Sequence, residues 1–139
     1  MIRISSIVAA LAASASPALA AAPACPGKTF DAFLSAFSDS AAVQRLHVAD
    51  PLSSGEIDPA AEPEPRLVMQ RLPKAALGFP LMPLKAERQR DRLAMTRTNK
   101  GAGAVEVLLA QPDSGYQLRY LFRPAGDCWQ LAEMVDESL

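Results

Sequence analysis

Hydrophobic residues at helical spacing mark the start of the folded part of the chain. Four of them stand at positions i, i+3, i+4 and i+7 of one segment: Phe30, Phe33, Leu34 and Phe37. This spacing predicts an amphipathic helix from Phe30 to Ser38, with Thr29 as its N-cap. Asp39 and Ser40 end that helix and can cap a second one, Ala41 to Leu46. Phenylalanines on one stripe are typical of a core, so we expect this stripe to be buried.

A proline-rich stretch interrupts the pattern between residues 51 and 65. It holds four prolines and four acidic residues but no basic residue. Such a composition predicts an irregular acidic loop at 51–65, and the alternative is an acidic docking arm for a basic partner. Beyond it, Arg66 to Leu72 predicts a strand bounded by two prolines, and Leu84 to Asp91 predicts a short surface helix.

Alternation of apolar and polar residues, the period of a β-strand, dominates the last third of the chain. Three strands carry it, with these apolar positions: Val105, Val107 and Leu109; Tyr116, Leu118, Tyr120 and Phe122; Trp129 and Leu131. The last strand spans Cys128 to Val135. Short turns rich in Gly, Pro and Asp separate the strands, which favours an antiparallel meander.

The order of these elements predicts the fold class. Helices come first, then a long loop, then a curled sheet, which is an α+β plan. We expect N-terminal helices packed on a curved antiparallel sheet of about four to five strands.

Composition changes this picture mainly at the N-terminus. The chain has 139 residues and is 50% hydrophobic, but much of that apolar content lies in residues 1–20. Arg3 is the only charge there, an apolar stretch runs from Ile4 to Ala15, and Ala18-Leu19-Ala20 has the small-x-small pattern of a cleavage site. This predicts a signal peptide at 1–20, because the stretch is shorter than the roughly 20 apolar residues of a membrane anchor. We therefore expect a periplasmic or secreted protein without stable membrane insertion after cleavage.

Cleavage would leave a single α+β domain at residues 21–139, long enough for one core of about 120 residues. Cys25 lies close to its start, but Ala22 replaces the large aliphatic residue that a lipoprotein box carries three positions before its cysteine. Lipidation at Cys25 is therefore disfavoured. Cys25 and Cys128 are instead expected to form one disulfide, because an exported protein with two cysteines most simply pairs them. The redox-active alternative lacks a Cys-x-x-Cys spacing.

Charge and motif content exclude several classes of function. The 14 basic and 15 acidic residues give a net charge of -1, which offers no general surface for nucleic acid. Two cysteines and one histidine do not make a structural zinc site, so no metal is expected. No phosphate-binding loop or dinucleotide fingerprint is present, and no cofactor is expected. The segment 71–100 is locally basic and offsets the acidic loop; it indicates a solvated face rather than an anion site.

Two segments resemble a known family. The run FDAFLSAFSDSAAVQRLHVADPL, Phe30 to Leu52, resembles the N-terminal signature of an exported bacterial family of unknown function, with a Phe-x-x-Phe-Leu-x-x-Phe helix before Gln-x-x-Arg and Pro-Leu. The tail GYQLRYLFRPAGDCWQLAEMVDESL, Gly115 to Leu139, resembles its ending, with Cys-Trp-x-Leu and Asp-x-Ser. That family is similar to the nuclear transport factor 2-like superfamily, which implies a cone of helices wrapped on a bent sheet. Here His47 stands where the family's arginine is expected.

The resemblance implies a fold more than an activity, because this superfamily hosts enzymes, binders and scaffolds. Its enzymes, such as isomerases and dehydratases, use Asp, His or Tyr in the mouth of the cone. The candidates here are His47, Asp50, Tyr116 and Tyr120. His47 and Asp50 could act as a base oriented by a carboxylate. The alternative is that His47 caps an element end and the tyrosines belong to the core.

Three hypotheses for the function follow. The leading one is a non-catalytic periplasmic module that binds a small apolar ligand in its cone or an envelope protein on its sheet. Its candidate pocket or core residues are Phe33, Phe37, Tyr116, Tyr120 and Trp129. The second is a small isomerase- or dehydratase-like enzyme that uses His47 and Asp50 in the cone pocket. The third is a purely structural partner-binding protein, which predicts a filled cone and an exposed apolar sheet face. The oligomeric state is left open.

Overall fold

The computed structural model describes residues 13–17 and 22–139. The predicted signal peptide, 1–20, falls outside the described residues apart from 13–17. The regular elements are α1 (Phe30–Ser38), α2 (Ala41–Leu46), β1 (Val48–Asp58), β2 (Arg66–Leu72), a short 3-10 helix (Lys74–Ala76), α3 (Lys85–Arg90), β3 (Ala94–Gly101), β4 (Ala104–Ala110), β5 (Gln117–Ala125) and β6 (Cys128–Asp136).

The two N-terminal helices begin where capping side chains hold their first turns. The Thr29 hydroxyl accepts the N–H of Ala32 at 3.2 Å, and the Ser40 hydroxyl accepts the N–H of Val43 at 3.3 Å. Both contacts satisfy N–H groups that have no partner inside the helix. The predicted helix bounds are confirmed at both ends of α1 and α2.

The six strands form one sheet in the order β2-β1-β6-β5-β4-β3. Four of the five neighbouring pairs are antiparallel, and β1 pairs with β6 in parallel. The predicted α+β class, with helices on a curved sheet, is confirmed. The count of four to five antiparallel strands is corrected to six strands in a mixed sheet, because β1 joins the predicted β2 strand to the C-terminal meander.

The predicted irregular loop at 51–65 is wrong for its first half. Strand β1 continues to Asp58, and only residues 59–65 form an irregular connection. The strand is hard to recognise because its centre is Ser53-Ser54-Gly55, which has no apolar alternation. Pro51 is tolerated because it lies where the register with β6 shifts, between Val48 and Ser53.

The core lies between α1 and the sheet face that carries the alternating apolar residues. Its fully buried side chains are Phe33, Phe37, Leu52, Met82, Val107, Leu109, Tyr120, Phe122 and Leu131. The stripe of α1 packs edge-on against this face, with the rings of Phe37 and Phe122 5.0 Å apart. We call this the helical face of the sheet and the opposite one the outer face. The prediction that the phenylalanine stripe is core is confirmed.

A disulfide joins Cys25, five residues before α1, to Cys128 at the start of β6, with Cα atoms 5.4 Å apart. The predicted pairing is thus present, and it ties the N-terminal end of the described domain to the sheet. The two cysteines are 103 residues apart in sequence. For a loop of this length, the loss of chain entropy in the unfolded state gives about 4 to 5 kcal/mol of stabilisation as an upper figure. Among the described residues, no helix is both long and apolar enough to cross a membrane.

Candidate functional site

The interior between α1 and the sheet is closed by residues 73–84, which begin with the short 3-10 helix and continue without regular structure. We call this segment the strap. Gln44, fully buried on α2, holds the C-terminal part of the strap with three hydrogen bonds. The Gln44 Oε1 accepts the N–H groups of Leu81 at 2.7 Å and Met82 at 3.0 Å, and its Nε2 donates to the Met82 carbonyl at 3.0 Å. A side-chain amide therefore replaces the strand or helix partner that this buried backbone lacks.

Two more side chains fix the strap from other directions. The Tyr120 hydroxyl, rising from β5, donates to the Leu81 carbonyl at 3.0 Å. Arg88 of α3 donates to the carbonyls of Pro83 at 2.7 Å and Ser38 at 2.6 Å and pairs with the Asp39 carboxylate at 2.9 Å. Charged donors of this kind make the stronger class of hydrogen bond. The strap is thereby anchored to α1, α2, α3 and the sheet.

Tyr120 was a candidate for a pocket or a catalytic site, but its hydroxyl group is used to anchor the strap. Its side chain is fully buried, and burial is the main reason that its pKa is raised far above the usual value of 10.0. The neutral phenol is what a hydrogen bond to a carbonyl requires, because only that form can donate. Phe33 and Phe37 fill the space beside it, so these three candidates form packed core rather than the wall of a cavity.

His47 is the C-cap residue of α2, and only 5% of it is exposed. Its ring stands edge-on to Phe33 at 5.6 Å, and its Nδ1 lies 3.8 Å from the Cys128 sulfur. Burial lowers the pKa of the ring, while a hydrogen bond to the Ala24 carbonyl opposes that shift. The imidazole thus packs beneath the disulfide. This placement at the end of α2 fits the alternative in which His47 caps an element end, and it does not fit a general base.

Asp50 lies on the exposed side of β1, where its carboxylate does not orient the His47 ring. Its Oδ1 accepts the N–H of Lys74 at 3.0 Å, at the start of the 3-10 helix. Within the part of the chain that the structure describes, no hydrogen bond or ion pair joins Asp50 to His47. The structure therefore does not assemble the acid–base pair that their sequence spacing allowed.

Tyr116 and Trp129 lie at opposite ends of the helical face. Tyr116 lines a surface cleft of about 110 Å³ with Asp91, Leu93 and Gln111. Partial burial raises its pKa, helped by the negative charges of three carboxylates: Asp136, Asp91 and Glu87. Trp129 packs against Phe30 and Phe33 and borders a cleft of about 140 Å³ beside the disulfide. The pocket candidates thus do not converge on one cavity.

A surface depression of about 650 Å³ lies on the outer face and is lined by Lys100, Gly101, Ala102, Ala104, Glu106, Leu121, Arg123 and Glu133. Part of its charge is already paired within the sheet, since Glu106 lies 3.8 Å from Lys100 and 3.6 Å from Arg119. Among the described residues, no three His, Cys, Asp or Glu side chains are grouped as metal ligands would be.

Sequence reasoning missed Gln44 and Arg88 as the residues that close the interior. Gln44 belongs to the segment that carries the family resemblance, but its amide was assigned no role. Arg88 was placed within a solvated charged helix, although its guanidinium reaches two carbonyls that lie far apart in sequence. Gln44 binds the backbone of Leu81 and Met82, which lie outside regular structure, and Arg88 binds the carbonyls of Pro83 and of Ser38 at the end of α1. No residue pattern identifies such targets.

Strand β2 presents a different feature, an exposed apolar surface at one edge of the sheet. Its side chains Leu67, Val68 and Met69 are 46%, 41% and 41% exposed. They are consecutive, so they occupy both faces of the strand. A run of three exposed apolar residues on an edge strand is unusual, because edges are ordinarily protected by charge, proline or a bulge.

Comparison with known proteins identifies the fold. No protein-family model matches the chain, and no curated protein matches its sequence significantly. An NTF2-like protein from Bacteroides fragilis NCTC 9343 matches its structure with a TM-score of 0.57 and 17% identity, over 79% of this chain and 47% of that one. This chain thus spans about half the length of that protein. A DUF4783 family protein from Bacteroides uniformis ATCC 8492 aligns at 9% identity and a TM-score of 0.42, over 76% of this chain and 93% of that one. The α+β domain described above therefore has the nuclear transport factor 2-like fold that the resemblance implied.

Proposed function

We propose that this chain is an exported, non-catalytic interaction protein that acts through its surface, with an envelope protein as its partner. One observation carries the proposal: the interior of the cone is filled by its own side chains. Proteins of this fold are expected to bind small molecules between the helices and the sheet, and here that space holds Phe33, Phe37, Tyr120 and Phe122, all fully buried.

The contacts of the strap support a permanently closed interior. Leu81 and Met82 use both their N–H and C=O groups on Gln44 or Tyr120, so these two residues have no backbone hydrogen-bonding group left to offer a ligand. Opening it would leave at least three buried polar groups without partners, at about 1 to 3 kcal/mol each. This favours partner binding over the small apolar ligand that the cone shape alone suggested.

The enzyme alternative receives no comparable support. A general base needs access to a substrate proton and a pKa near the working pH. His47 is buried against Phe33 and the disulfide, and Asp50 is committed to the Lys74 N–H. We therefore propose a structural role for both residues.

Export is proposed from the sequence of residues 1–20, and the Cys25–Cys128 disulfide supports it, because such bonds persist in oxidising compartments. Expression of the full chain in a bacterium with a periplasm tests this step directly. We expect the recovered protein to lie in the periplasmic fraction, to begin after Ala20 and to contain no free thiol. Retention of residues 1–20 in a cytoplasmic, reduced product would contradict it.

A cavity experiment tests the filled interior. Phe37→Ala removes a fully buried ring and should create a dry cavity that binds benzene or xenon, as apolar cavities of this kind do. The unmodified domain should bind neither, and native mass spectrometry with lipids, peptidoglycan fragments and small acids should find no stoichiometric ligand. An interior ligand in the unmodified protein, or a turnover lost in His47→Ala, would overturn the proposal.

A further inference from the structure

A surface cleft of about 470 Å³ lies along helix α3. It is lined by Lys85, Arg88, Gln89, Arg92, Leu93 and Ala94. The first four of these stand at positions i, i+3, i+4 and i+7 of the sequence, and we call them the basic stripe. The acidic residues of the same segment, Glu87 and Asp91, lie outside this lining. Among the described residues, the cleft is therefore lined by three cations and an amide but by no carboxylate.

Two of the three cations in the basic stripe have no partner within the described ranges. Arg88 is already bonded to two backbone carbonyls and to the Asp39 carboxylate. Lys85 and Arg92 are exposed, and neither forms an ion pair with any residue in the part of the chain that the structure describes. Their backbones are roughly 10 Å apart along the helix axis, because each helical residue rises 1.5 Å. Positive charge thus stands free at both ends of the cleft.

Other cations of this basic segment are paired. Arg90 lies 3.0 Å from Asp91, Lys100 lies 3.8 Å from Glu106, and Arg97 pairs with Asp31 of α1. The sequence predicts a solvated face for the segment, and these exposed pairs have that character. The cleft differs, because its two free cations lie where the neighbouring carboxylates do not line the surface.

Both free cations also occupy positions where the helix backbone favours another residue. Lys85 is the first residue of α3, and a negative charge is favoured in the first turn of a helix. Arg92 has a φ of 52°, in the left-handed region. Its N–H donates to the Gln89 carbonyl and the Leu93 N–H donates to the Arg88 carbonyl, which is the Schellman ending that ordinarily carries glycine at this position. Residues that oppose local preference are expected where a function requires their side chains.

The chemistry of the cleft selects its occupant. A guanidinium binds a carboxylate with two parallel hydrogen bonds, and the ammonium group of Lys85 adds a second cationic donor. A membrane surface or a nucleic acid requires a broad cluster of basic residues, whereas only two free cations line this cleft and Glu87 and Asp91 flank it in sequence. The charge therefore complements a short acidic stretch of protein.

We propose that the basic stripe binds an acidic segment of a partner protein, with carboxylates of that segment on Lys85 and Arg92 and the Gln89 amide donating between them. An extended chain advances about 3.3 Å per residue, so acidic residues two to four positions apart span the stripe. This inference rests on the proposed function, and it adds the chemistry by which the partner is recognised and the place where it binds.

Fluorescence anisotropy of a labelled peptide tests the proposal on the purified, oxidised protein. The probe is about ten residues long and alternates Glu with Ser, and its control peptide has Gln at every Glu position. We expect the Glu peptide to bind with a dissociation constant of about 0.1 mM or lower at low ionic strength, which rises with salt, and the Gln peptide not to bind. The double variant Lys85→Glu/Arg92→Glu should weaken binding by about 10-fold or more.

A matched control separates this site from general attraction between opposite charges. Lys28→Glu/Arg71→Glu makes the same two changes of residue and of net charge at exposed positions outside the cleft, and it should keep the affinity within about 2-fold. Arg92→Gly should weaken peptide binding and at the same time raise the midpoint of thermal unfolding, because glycine adopts a positive φ without steric cost.

Four results would overturn the proposal. They are no binding of the Glu peptide at about 1 mM, equal weakening by the two double variants, a lower unfolding midpoint in Arg92→Gly, and tighter binding of phosphatidylglycerol vesicles than of the peptide. None of these results bears on the filled interior, which the Phe37→Ala cavity experiment tests separately. Conversely, an interior ligand would overturn the proposed function and leave peptide binding at the basic stripe as measured.

Discussion

The strap and strand β2 both lie outside the meander, yet their backbone polar groups find partners in opposite ways. In the strap, Leu81 and Met82 lie under the helices and every one of their polar backbone groups receives a side-chain partner. In β2, the backbone is paired with β1 on one side, and its other side faces no strand within the described ranges 13–17 and 22–139. Burial explains the difference, because a buried N–H or C=O without a partner costs far more than one that meets water.

This contrast bears on where function resides. Backbone groups that are already hydrogen-bonded inside the protein can bind a ligand only after those hydrogen bonds break. An edge with open hydrogen-bonding groups and exposed apolar side chains can bind at little cost to the fold. The hydrogen-bonded strap therefore closes the cone, and the exposed apolar side chains lie at the β2 edge.

The largest expected effect compares a core ring with an edge side chain. Phe37→Ala should lower the free energy of unfolding by about 3 to 5 kcal/mol, since it removes a fully buried aromatic that contacts Phe33 and Phe122. Met69→Ala on β2 should change it by about 0.5 kcal/mol or less, because that side chain is 41% exposed. Urea unfolding of the unmodified protein and of the two variants measures both losses. Equal losses would mean that the edge is as tightly packed as the core.

The next largest effect separates the contribution of buried hydrogen bonds from that of side-chain packing. Gln44→Leu keeps the volume of the side chain but leaves two N–H groups and one C=O of the strap unpaired, and we expect a loss of about 3 kcal/mol. Gln70→Leu makes the same chemical change on exposed β2 and should be neutral within about 0.5 kcal/mol. Thermal unfolding of the pair checks this, together with amide exchange at Leu81 and Met82. Unchanged exchange there would show that Gln44 does not hold the strap.

A smaller effect concerns a single hydrogen bond on the same segment. Tyr120→Phe removes the donor to the Leu81 carbonyl and keeps the ring, so we expect a loss of about 1 kcal/mol. Tyr116→Phe, immediately before the same strand and only partly buried, serves as the control and should cost less. A Tyr120→Phe variant as stable as the unmodified protein would show that the carbonyl finds another partner.

Periodicity was sufficient to predict much of the fold. The bounds of α1 and α2 follow from the spacing of Phe30, Phe33, Leu34 and Phe37 and from the caps Thr29 and Ser40, all of which act locally. The meander from β4 to β6 follows from alternation and short turns. The disulfide could be predicted because two cysteines allow one pairing.

Features that depend on distant contacts were not predictable in this way. Strand β1 has Ser-Ser-Gly at its centre and exists because β2 and β6 flank it on both sides. The strap is held by Gln44, 37 and 38 residues away in sequence. His47 and Asp50 are close in sequence, but the chain passes from a helix end into a strand between them, and their side chains take different partners.

The smallest expected effect is a dependence of stability on pH that arises from His47, at the disulfide end of the covered interior. Its folded-state pKa is lowered from 6.5 by burial, partly offset by the hydrogen bond to Ala24, so the folded protein binds a proton less readily than the unfolded chain does. Stability should therefore be full above the usual pKa of 6.5 and decrease as the pH falls below it toward the lowered value. Urea unfolding midpoints between pH 7.5 and 5 should show this decrease in the unmodified protein and a shallower one in His47→Gln. If both proteins lose stability in parallel, the titrating group lies elsewhere, and the neutral, packed imidazole assigned to His47 would be wrong.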